Sequence, residues 1–181
     1  MSDGFALFDT AIGLCGVAWN ARGLTGIMLP LTEGGDPHAR IARRHPGAVE
    51  AEPPPAVAAA IEGMQALLRG EKRDLLEVRL DDGELGPLAA QVYAISRAIP
   101  PGQTLTYGDI ARRLGDLGLS RAVGQALGAN PWPIVVPCHR ILAAGGRKGG
   151  FSAPGGADTK LRMLEIEGAL APETLPLFGA R

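Results

Sequence analysis

The sequence predicts an α/β fold of the α+β type, in which a strand-rich N-terminal half precedes a helical C-terminal half. Between residues 4 and 31, short apolar stretches are interrupted by the turn-like segments AIG and NARG. After the acidic segment LDDGELGP, residues 80–87, the apolar residues follow helical spacing. We therefore predict two domains, residues 1–85 and 86–170, followed by a tail of residues 171–181.

The length and composition limit the class of protein. A chain of 181 residues, 46% hydrophobic and 20% charged, is long enough for one domain or two small ones with packed cores. No apolar run approaches the roughly 18 residues that a membrane-spanning helix needs. The N-terminal MSDGFALFDT lacks the basic region and apolar block of a secretory signal. We expect a cytoplasmic protein with no membrane association.

The charge is distributed unevenly between the two halves. Residues 1–85 carry 8 Lys and Arg against 13 Asp and Glu, a net charge of −5. Residues 86–181 carry 10 against 6, a net charge of +4, so that the whole chain is close to neutral at −1. Such asymmetry is typical of a chain in which one half meets an anionic partner, although chance explains the charges alone equally well.

The N-terminal half is predicted to contain strands and one clear helix. The segment GFALFDTAIGLCGVAWNARGLTGIMLPL is typical of short strands joined by turns. PPPAVAAAIEGMQALLRGEK predicts a helix with proline at its start and Gly70 at its end. DLLEVRLD, residues 74–81, alternates apolar and polar side chains, which predicts another strand.

Three helices are predicted at the start of the C-terminal half. LAAQVYAISRAI ends at PPGQ, and TYGDIARRLG follows with Thr104 or Thr106 as its cap. SRAVGQALGAN is the third, with Ser120 as its N-cap, and a short DLGL turn joins it to the second. Two short helices across a glycine-containing turn suggest a helix-turn-helix, although αα-hairpins in general share this pattern.

The last elements are a predicted strand, a loop and a helix. PWPIVVPCHRI predicts a strand between prolines. The next segment, LAAGGRKGGFSAPGG, is a glycine-rich loop. It lacks the phosphate-binding pattern G-x-x-x-x-G-K-[ST], so we interpret it as a flexible lid over a pocket. ADTKLRMLEIEG predicts a closing helix, with Asp158 as its cap and Gly168 just past its end.

The two cysteines call for different interpretations. Cys15 lies in a strand-like apolar stretch, so we expect a small buried side chain there. Cys138 follows a proline and precedes His139, and a base or a cation near a thiol favours a nucleophilic thiolate. His139 could act through a bound water, with Glu167 as the candidate group that orients the imidazole. The spacing of cysteines and histidines predicts neither a disulfide nor a metal site.

The third helix of the C-terminal half carries unusually small side chains. Gly124 and Gly128 lie within it, and each glycine costs a helix roughly 1 kcal/mol relative to alanine. Close approach to another surface is the usual compensation. That surface is either the protein core or a narrow nucleic-acid groove, where bulky side chains would not fit.

These motifs together resemble the methylated-DNA–protein-cysteine methyltransferases, the O6-alkylguanine-DNA alkyltransferases. RAVGQALGANPWPIVVPCHRI is similar to their signature, and IPPGQTLTYGDIA, GGFSAPGG and TKLRMLEIEGA extend the resemblance over nearly all of residues 86–170. The resemblance implies a ribonuclease-H-like N-terminal domain without nuclease activity. It also implies a C-terminal domain with a helix-turn-helix, winged-helix-like, that binds the minor groove of double-stranded DNA.

The resemblance implies direct reversal of DNA damage, in which an O6-alkylguanine is flipped out of the duplex. Cys138 matches the thiolate that takes the alkyl group irreversibly, in a single turnover. His139 matches the residue that deprotonates the thiol through a water, and Glu167 matches the carboxylate that orients this histidine. Asn130 matches the asparagine that braces the turn before the active segment. Tyr107 matches a hydroxyl near guanine N3 that can supply a proton.

Further positions carry over from the same motifs. Arg121 matches the arginine that fills the space left by the flipped base. The carbonyls of Cys138 and Ile141 match those that accept from the exocyclic amine, and Ser152 matches the lid serine at the O6 side. The apolar pocket positions are Leu127, Pro133 and Phe151. The remaining expected DNA contacts are Thr106, Ala122, Gly124 and Gly128.

Some positions depart from the family pattern. Phe151 stands where some members have tyrosine, and Ala153 and Pro154 lengthen the lid, which leaves open the range of alkyl groups and activity on O4-alkylthymine. The Cys/His set that binds a structural zinc in some members is missing, so no metal or cofactor is expected. We expect a monomer.

Two other classes of function compete with alkyl transfer. One is a binding protein, a lesion sensor or a helix-turn-helix regulator in which Cys138 serves as a switch. Members whose site cysteine is replaced bind alkylated DNA without repairing it, and the presence of Cys138 argues against that class. The other is a cysteine hydrolase, for which the sequence contains no separate oxyanion motif.

Overall fold

The structure, a computed structural model, describes residues 3–144 and 156–169. Within these ranges the strands are β1 (Gly4–Thr10), β2 (Gly13–Trp19), β3 (Leu24–Met28), β4 (Val49–Glu50), β5 (Leu105–Thr106) and β6 (Ile141–Leu142). The α-helices are α1 (Pro37–Arg44), α2 (Pro55–Leu68), α3 (Pro87–Arg97), α4 (Tyr107–Arg113), α5 (Ser120–Gly128) and α6 (Gly156–Ile166). The mixed α/β class is as predicted.

The N-terminal half is a four-stranded sheet with the strand order β3-β2-β1-β4. β1 and β2 form an antiparallel hairpin in which Phe8 pairs with Cys15, and β4 runs parallel to β1. Gly13 closes the hairpin turn with φ 124°, a conformation that glycine adopts without strain. The predicted strands and turns between residues 4 and 31 are therefore confirmed, and Cys15 is fully buried as expected.

α2 covers this sheet and begins and ends as the sequence predicts. Pro55 occupies its first turn, where a missing N–H is harmless. Its apolar face buries Ala60, Met64 and Leu67 against β1 and its neighbours. Gly70 follows the helix with φ 101°, which ends it.

Residues 74–81 do not form the predicted strand. Leu75 has φ 57°, and Leu80 makes only an isolated bridge to Leu24. The Nη2 atom of Arg97 instead donates to the carbonyls of Leu75, Leu76 and Val78 at 2.9, 3.2 and 3.0 Å. A side chain from α3 thus satisfies carbonyls that a neighbouring strand would otherwise have paired. The alternating pattern reflects the burial of Leu75 and Val78 from within a turn.

α4 and α5 pack against each other and differ in how they begin. Thr106 caps α4 in a capping box with Asp109, one of the two caps that the sequence offers. The prediction that Ser120 caps α5 is wrong, because Ser120 is already helical. A 3-10 helix, Leu117–Leu119, leads directly into α5, and the Ser120 hydroxyl donates back to the Leu117 carbonyl.

α6 and the small second sheet complete the C-terminal half. Asp158 is the third residue of α6 rather than its cap, in the first turn, where a carboxylate complements the helix dipole. Gly168 follows the helix with φ 75°, as predicted. β5 pairs with β6 in parallel, Leu105 beside Ile141.

The two halves share packing and hydrogen bonds. The indole Nε1 of Trp132 donates to the Leu24 carbonyl at 2.8 Å, and the Ile27 N–H donates to the Pro131 carbonyl at 2.8 Å. One hydrophobic cluster runs from the sheet through α2, α3 and α5. The division into domains at residue 85 therefore stays a prediction. Among the described residues, no helix is long and apolar enough to span a membrane.

Candidate active site

The segment that carries Cys138 is a braced turn and not the predicted strand. Ile134 has φ 77°, and residues 133–136 form turns that lead into a 3-10 helix, Cys138–Arg140. The Asn130 side chain accepts from the Trp132 N–H and donates to the Val136 carbonyl, both at 2.9 Å. The β-branched residues are buried by packing, and the amide of Asn130 takes the place of a neighbouring strand.

The Cys138 thiol lies at the start of this 3-10 helix with 8% of the residue exposed. Burial raises its pKa, because a thiolate loses hydration. The side chain of Asn130 and the positive charge of Lys160 oppose that shift. Cys138 is thus a protected thiol that needs a base, or the approach of its substrate, to ionise.

His139 and Glu167 form a buried pair next to the thiol. The Nε2 atom of His139 lies 2.8 Å from Oε1 of Glu167, and the two residues are 1% and 4% exposed. A carboxylate only accepts, so Nε2 carries the proton and Nδ1 of the neutral ring keeps a lone pair. Nδ1 has no hydrogen-bond partner among the described residues. Burial lowers the pKa of His139 and Glu167 opposes this, so the imidazole is neutral and available as a base.

Arg140 holds the same carboxylate from the other side. Its Nε and Nη2 atoms donate to the two Glu167 oxygens at 2.9 and 2.7 Å, and Nη1 donates to the Ile99 carbonyl at 2.7 Å. Burial alone would raise the pKa of Glu167, but the hydrogen bonds from His139 and Arg140 outweigh it and hold that pKa at about 2. No pattern in the sequence indicates a role for Arg140, since only the fold brings it to Glu167.

Lys160 is a second buried cation that the sequence analysis missed. Its Nζ donates to the Ile141 carbonyl at 2.6 Å, and the residue is 2% exposed. Burial lowers its pKa, and Cys138 opposes that shift. The spacing of the residues along α6 indicates this burial. One face of the helix carries four residues that are all buried: Lys160, Met163, Leu164 and Glu167.

Tyr107 reaches the site through the small sheet. β6 follows the 3-10 helix of Cys138, and its partner β5 is followed directly by Tyr107, the first residue of α4. Burial raises the pKa of Tyr107, and Cys138 adds to the shift. Tyr93, which the sequence analysis did not single out, donates to the Ala126 carbonyl at 2.6 Å and so fastens α5 to α3.

The glycines of α5 are not required by packing within the described residues. A Cβ on Gly124 would come no closer than 3.9 Å to Tyr107, which is ordinary contact, and a Cβ on Gly128 would meet no described heavy atom within 4 Å. Of the two explanations left open by the sequence, close packing against the core does not account for these glycines.

The other predicted site residues lie as follows. Arg121 is exposed as the second residue of α5, and Ala122 beside it is partly buried. Leu127, Pro133 and Ile141 are buried around the active segment, and Thr106 is occupied as the cap of α4. Phe151 and Ser152 lie outside the described residues. The structure thus brings together Cys138, His139, Glu167, Asn130 and Tyr107.

Comparison with known proteins identifies the family that the chain resembles. Residues 87–169 match the family model of the 6-O-methylguanine DNA methyltransferase, DNA binding domain. A methylated-DNA–protein-cysteine methyltransferase of Mycolicibacterium paratuberculosis is 40% identical over 128 residues, which are 70% of this chain and 74% of that protein. A DNA base-flipping protein of Thermus thermophilus is 44% identical over 110 residues, 60% of this chain and 71% of that protein.

A solved structure agrees over nearly the whole chain. The crystal structure of Mycobacterium tuberculosis OGT in complex with DNA superimposes with a TM-score of 0.69 at 31% identity, covering 97% of this chain and 99% of that one. The match therefore includes the N-terminal sheet as well as the half that carries Cys138. With the family model, the relatives and the fold in agreement, the chain belongs to the methylated-DNA–protein-cysteine methyltransferase family.

Proposed function

We propose that this protein repairs O6-alkylguanine in double-stranded DNA by transferring the alkyl group irreversibly to its own Cys138. The observation that carries the proposal is the buried thiol of Cys138 next to the buried His139–Glu167 pair, on a turn beside α4 and α5. A base-flipping function alone needs no nucleophile. A cysteine, a neutral imidazole and a carboxylate in this order are the parts of an activated nucleophile.

The chemical step is a displacement at the alkyl carbon. Nδ1 of His139 takes the thiol proton through a water, while Glu167 holds the ring by Nε2 and stabilises the imidazolium. The thiolate attacks the alkyl carbon, an S–C bond forms, and the bond from that carbon to guanine O6 breaks. The departing guanine gains a proton from the Tyr107 hydroxyl, and the proton taken up by His139 passes through water to restore that hydroxyl. The net change moves one alkyl group to sulfur and one proton to the base.

The reaction is a single turnover, because a thioether is a poor leaving group and the described site holds no nucleophile that could remove it. The products are repaired DNA and a protein that has no free thiol at position 138. Each protein molecule therefore repairs one alkylated base and is then inactive.

DNA binding is assigned to α4 and α5, with α5 in the minor groove. The small face of α5 supports this, because no described residue fills the space beside Gly128 and only Tyr107 approaches Gly124, at ordinary contact distance. The net charge of +4 in residues 86–181 supports attraction to phosphates. Arg121, exposed at the start of α5, would enter the stack as the alkylated base leaves it. We further propose a monomer in the reducing cytoplasm, where two free thiols persist.

Methyl transfer to the protein tests the proposal. Duplex DNA containing O6-methylguanine is incubated with the protein, and the intact mass is followed over time. A gain of one methyl group on Cys138 supports the proposal. DNA binding without any gain in mass would favour the function that is named for the Thermus thermophilus relative.

A further inference from the structure

Lys72 connects the N-terminal half to the end of the helix that carries Glu167. Its Nζ donates a hydrogen bond to the main-chain carbonyl oxygen of Glu167, 95 positions further along the chain. Lys72 follows α2 by a few residues and is exposed as a whole, while its ammonium group reaches inward. The contact is charge-assisted, and a cation at the C-terminal end of a helix also complements the helix dipole.

Two glycines leave the space that the ammonium group occupies. A Cβ on Gly102 would lie 3.0 Å from Nζ of Lys72 and 3.1 Å from the Glu167 carbonyl oxygen, closer than most real contacts. A Cβ on Gly168 would lie 4.0 Å from the same Nζ. Both glycines have positive φ, 91° and 75°, so side chains are disfavoured at both positions. The ammonium group therefore meets the carbonyl in a gap that two separate loops keep open.

The segment around Lys72 is itself held in place. Gly70 approaches the end of α6, where a Cβ would lie 3.7 Å from the Ile166 carbonyl oxygen. Further along, the Arg97 guanidinium binds the three carbonyls of residues 75, 76 and 78. Lys72 thus extends from a segment that is fixed on both sides, so it can hold the main chain of Glu167 in position.

Glu167 is consequently held at both its side chain and its main chain. His139 and Arg140 bind the carboxylate, and Lys72 binds the carbonyl of the same residue. Glu167 follows directly after the last residue of α6, where a helix end frays readily. A displacement of this main chain would move the carboxylate away from the imidazole, whose contact distance is 2.8 Å.

We propose that Lys72 is a positioning residue for alkyl transfer, which fixes the main chain of Glu167 and so keeps its carboxylate against His139. The proposal rests on the proposed function for its biological meaning. It gives the N-terminal half a part in the chemistry through a residue that acts on Glu167 and not on the reacting atoms.

The loss of Lys72 has a predictable effect on pH dependence. The groups that act on His139 are Glu167, Arg140 and Lys160, and Glu167 alone among them raises its pKa. When the carboxylate is held less firmly, the pKa of His139 falls further and the imidazole becomes a weaker base. Cys138 then ionises at higher pH, so the midpoint of its pH–rate profile moves upward. A merely structural role would lower stability without moving this midpoint.

The test is the rate at which iodoacetamide alkylates Cys138 across neutral and alkaline pH, read from the Cys138 peptide by mass spectrometry. Lys72→Met removes the ammonium group and keeps most of the stem. Arg73→Met is the matched control, because it removes the neighbouring charge, which is exposed and pairs with Glu71 at 3.8 Å. Lys72→Arg keeps a donor at position 72.

We expect Lys72→Met to lower the rate at neutral pH about three- to fivefold and to move the midpoint upward. Lys72→Arg should lie closer to the unsubstituted protein than to Lys72→Met. The proposal is overturned if Lys72→Met matches Arg73→Met, if its rate falls with no shift in midpoint, or if Lys72→Arg is as impaired as Lys72→Met. Iodoacetamide needs no DNA, so failure of the unsubstituted protein to accept a methyl group would refute the proposed function separately.

Discussion

The imidazole of His139 lies 2.8 Å from the carboxylate of Glu167, and the guanidinium of the next residue, Arg140, binds the same carboxylate through two nitrogens. Because residues 138–140 form a 3-10 helix, two consecutive side chains reach one acceptor while Cys138 precedes them. Glu167 therefore has two separable roles. It orients a base for the thiol, and it neutralises a buried arginine.

The first prediction concerns the coupling of His139 and Glu167. His139→Ala and Glu167→Gln should each slow methyl transfer by about 100-fold, since each removes the same general base or its orientation. The double variant should be little worse than the more impaired single variant, because the pair acts as a unit. Single-turnover rates of methyl transfer measure all three.

A second histidine–glutamate pair provides the control. His38 and Glu50 lie 3.0 Å apart on the surface. His38→Ala and Glu50→Gln should leave the transfer rate unchanged. If the losses at His139 and Glu167 simply multiplied, the two residues would act independently and the relay would be wrong.

The second prediction is a loss of stability in acid. The pKa of Glu167 is lowered from 4.5 to about 2 in the folded protein, so its contribution is present above pH 4.5 and is lost as the pH falls toward 2. At 1.36 kcal/mol for each pH unit, that contribution is about 3 kcal/mol. The pKa of His139 is also lowered, so stability begins to fall earlier, below its ordinary value of 6.5. Urea unfolding at a series of pH values measures both effects.

Glu167→Gln separates the two contributions. In this variant the free energy of unfolding should no longer fall between pH 4.5 and 2 on account of Glu167. The fall in stability below pH 6.5 that His139 causes should still be present. An unchanged acid limb in Glu167→Gln would mean that other carboxylates cause the loss.

The third prediction is that Gly124→Ala in α5 raises the stability of the protein but weakens its binding to DNA. Gly124→Ala introduces a methyl group at ordinary contact distance from Tyr107, so it should stabilise the helix by roughly 0.5–1 kcal/mol. The same methyl group should weaken binding to duplex DNA if this face of α5 enters the minor groove. Urea unfolding and fluorescence anisotropy with a labelled duplex measure the two effects. A variant that is more stable and binds DNA normally would remove this face of α5 from the interface.

Several features of the fold follow from local chemistry and were predicted correctly. The Thr106 cap, Gly70 and Gly168 are local signals, and each ends or begins a helix as expected. Two predicted strands, residues 74–81 and 131–141, do not form as strands. Arg97 binds three carbonyls of the first segment, and Asn130 binds the Val136 carbonyl in the second, which turns into a 3-10 helix before β6 begins. An alternating or β-branched pattern reports burial, and burial does not require a strand.

Some residues of the candidate site were predicted from the sequence, and others were not. The residues named from family motifs, Cys138, His139 and Glu167, are brought together by the fold. Arg140 was not assigned, since its burial depends on acceptors that only the folded chain supplies. Lys160 was not assigned either, although its position on the apolar face of α6 indicated burial. Lys72, like Arg140, could not be assigned, because its partner is a main-chain carbonyl 95 positions away.

The fourth prediction separates base flipping from simple phosphate contact at Arg121. An arginine that fills the gap recovers part of the few kcal/mol that flipping costs, so its loss should slow repair in duplex DNA. Reaction with the free base O6-benzylguanine needs no flipping and should be far less affected in Arg121→Ala. The ratio of the two rates, compared with the unsubstituted protein, measures the difference. Equal losses in both reactions would mean that Arg121 is not a flipping residue. Full activity of Arg121→Lys on duplex DNA would make Arg121 a phosphate contact.

The most direct measurement is the number of methyl groups that the protein accepts from an excess of duplex DNA containing O6-methylguanine. Intact-mass spectrometry should show a plateau near one methyl group for each chain, and peptide mapping should locate it on Cys138. Cys138→Ala should bind the duplex without gaining mass, and Cys15→Ala, which alters the other buried thiol, should reach the same plateau as the unsubstituted protein. Methyl transfer that continues past one equivalent, or a methyl group on any residue other than Cys138, would contradict the account.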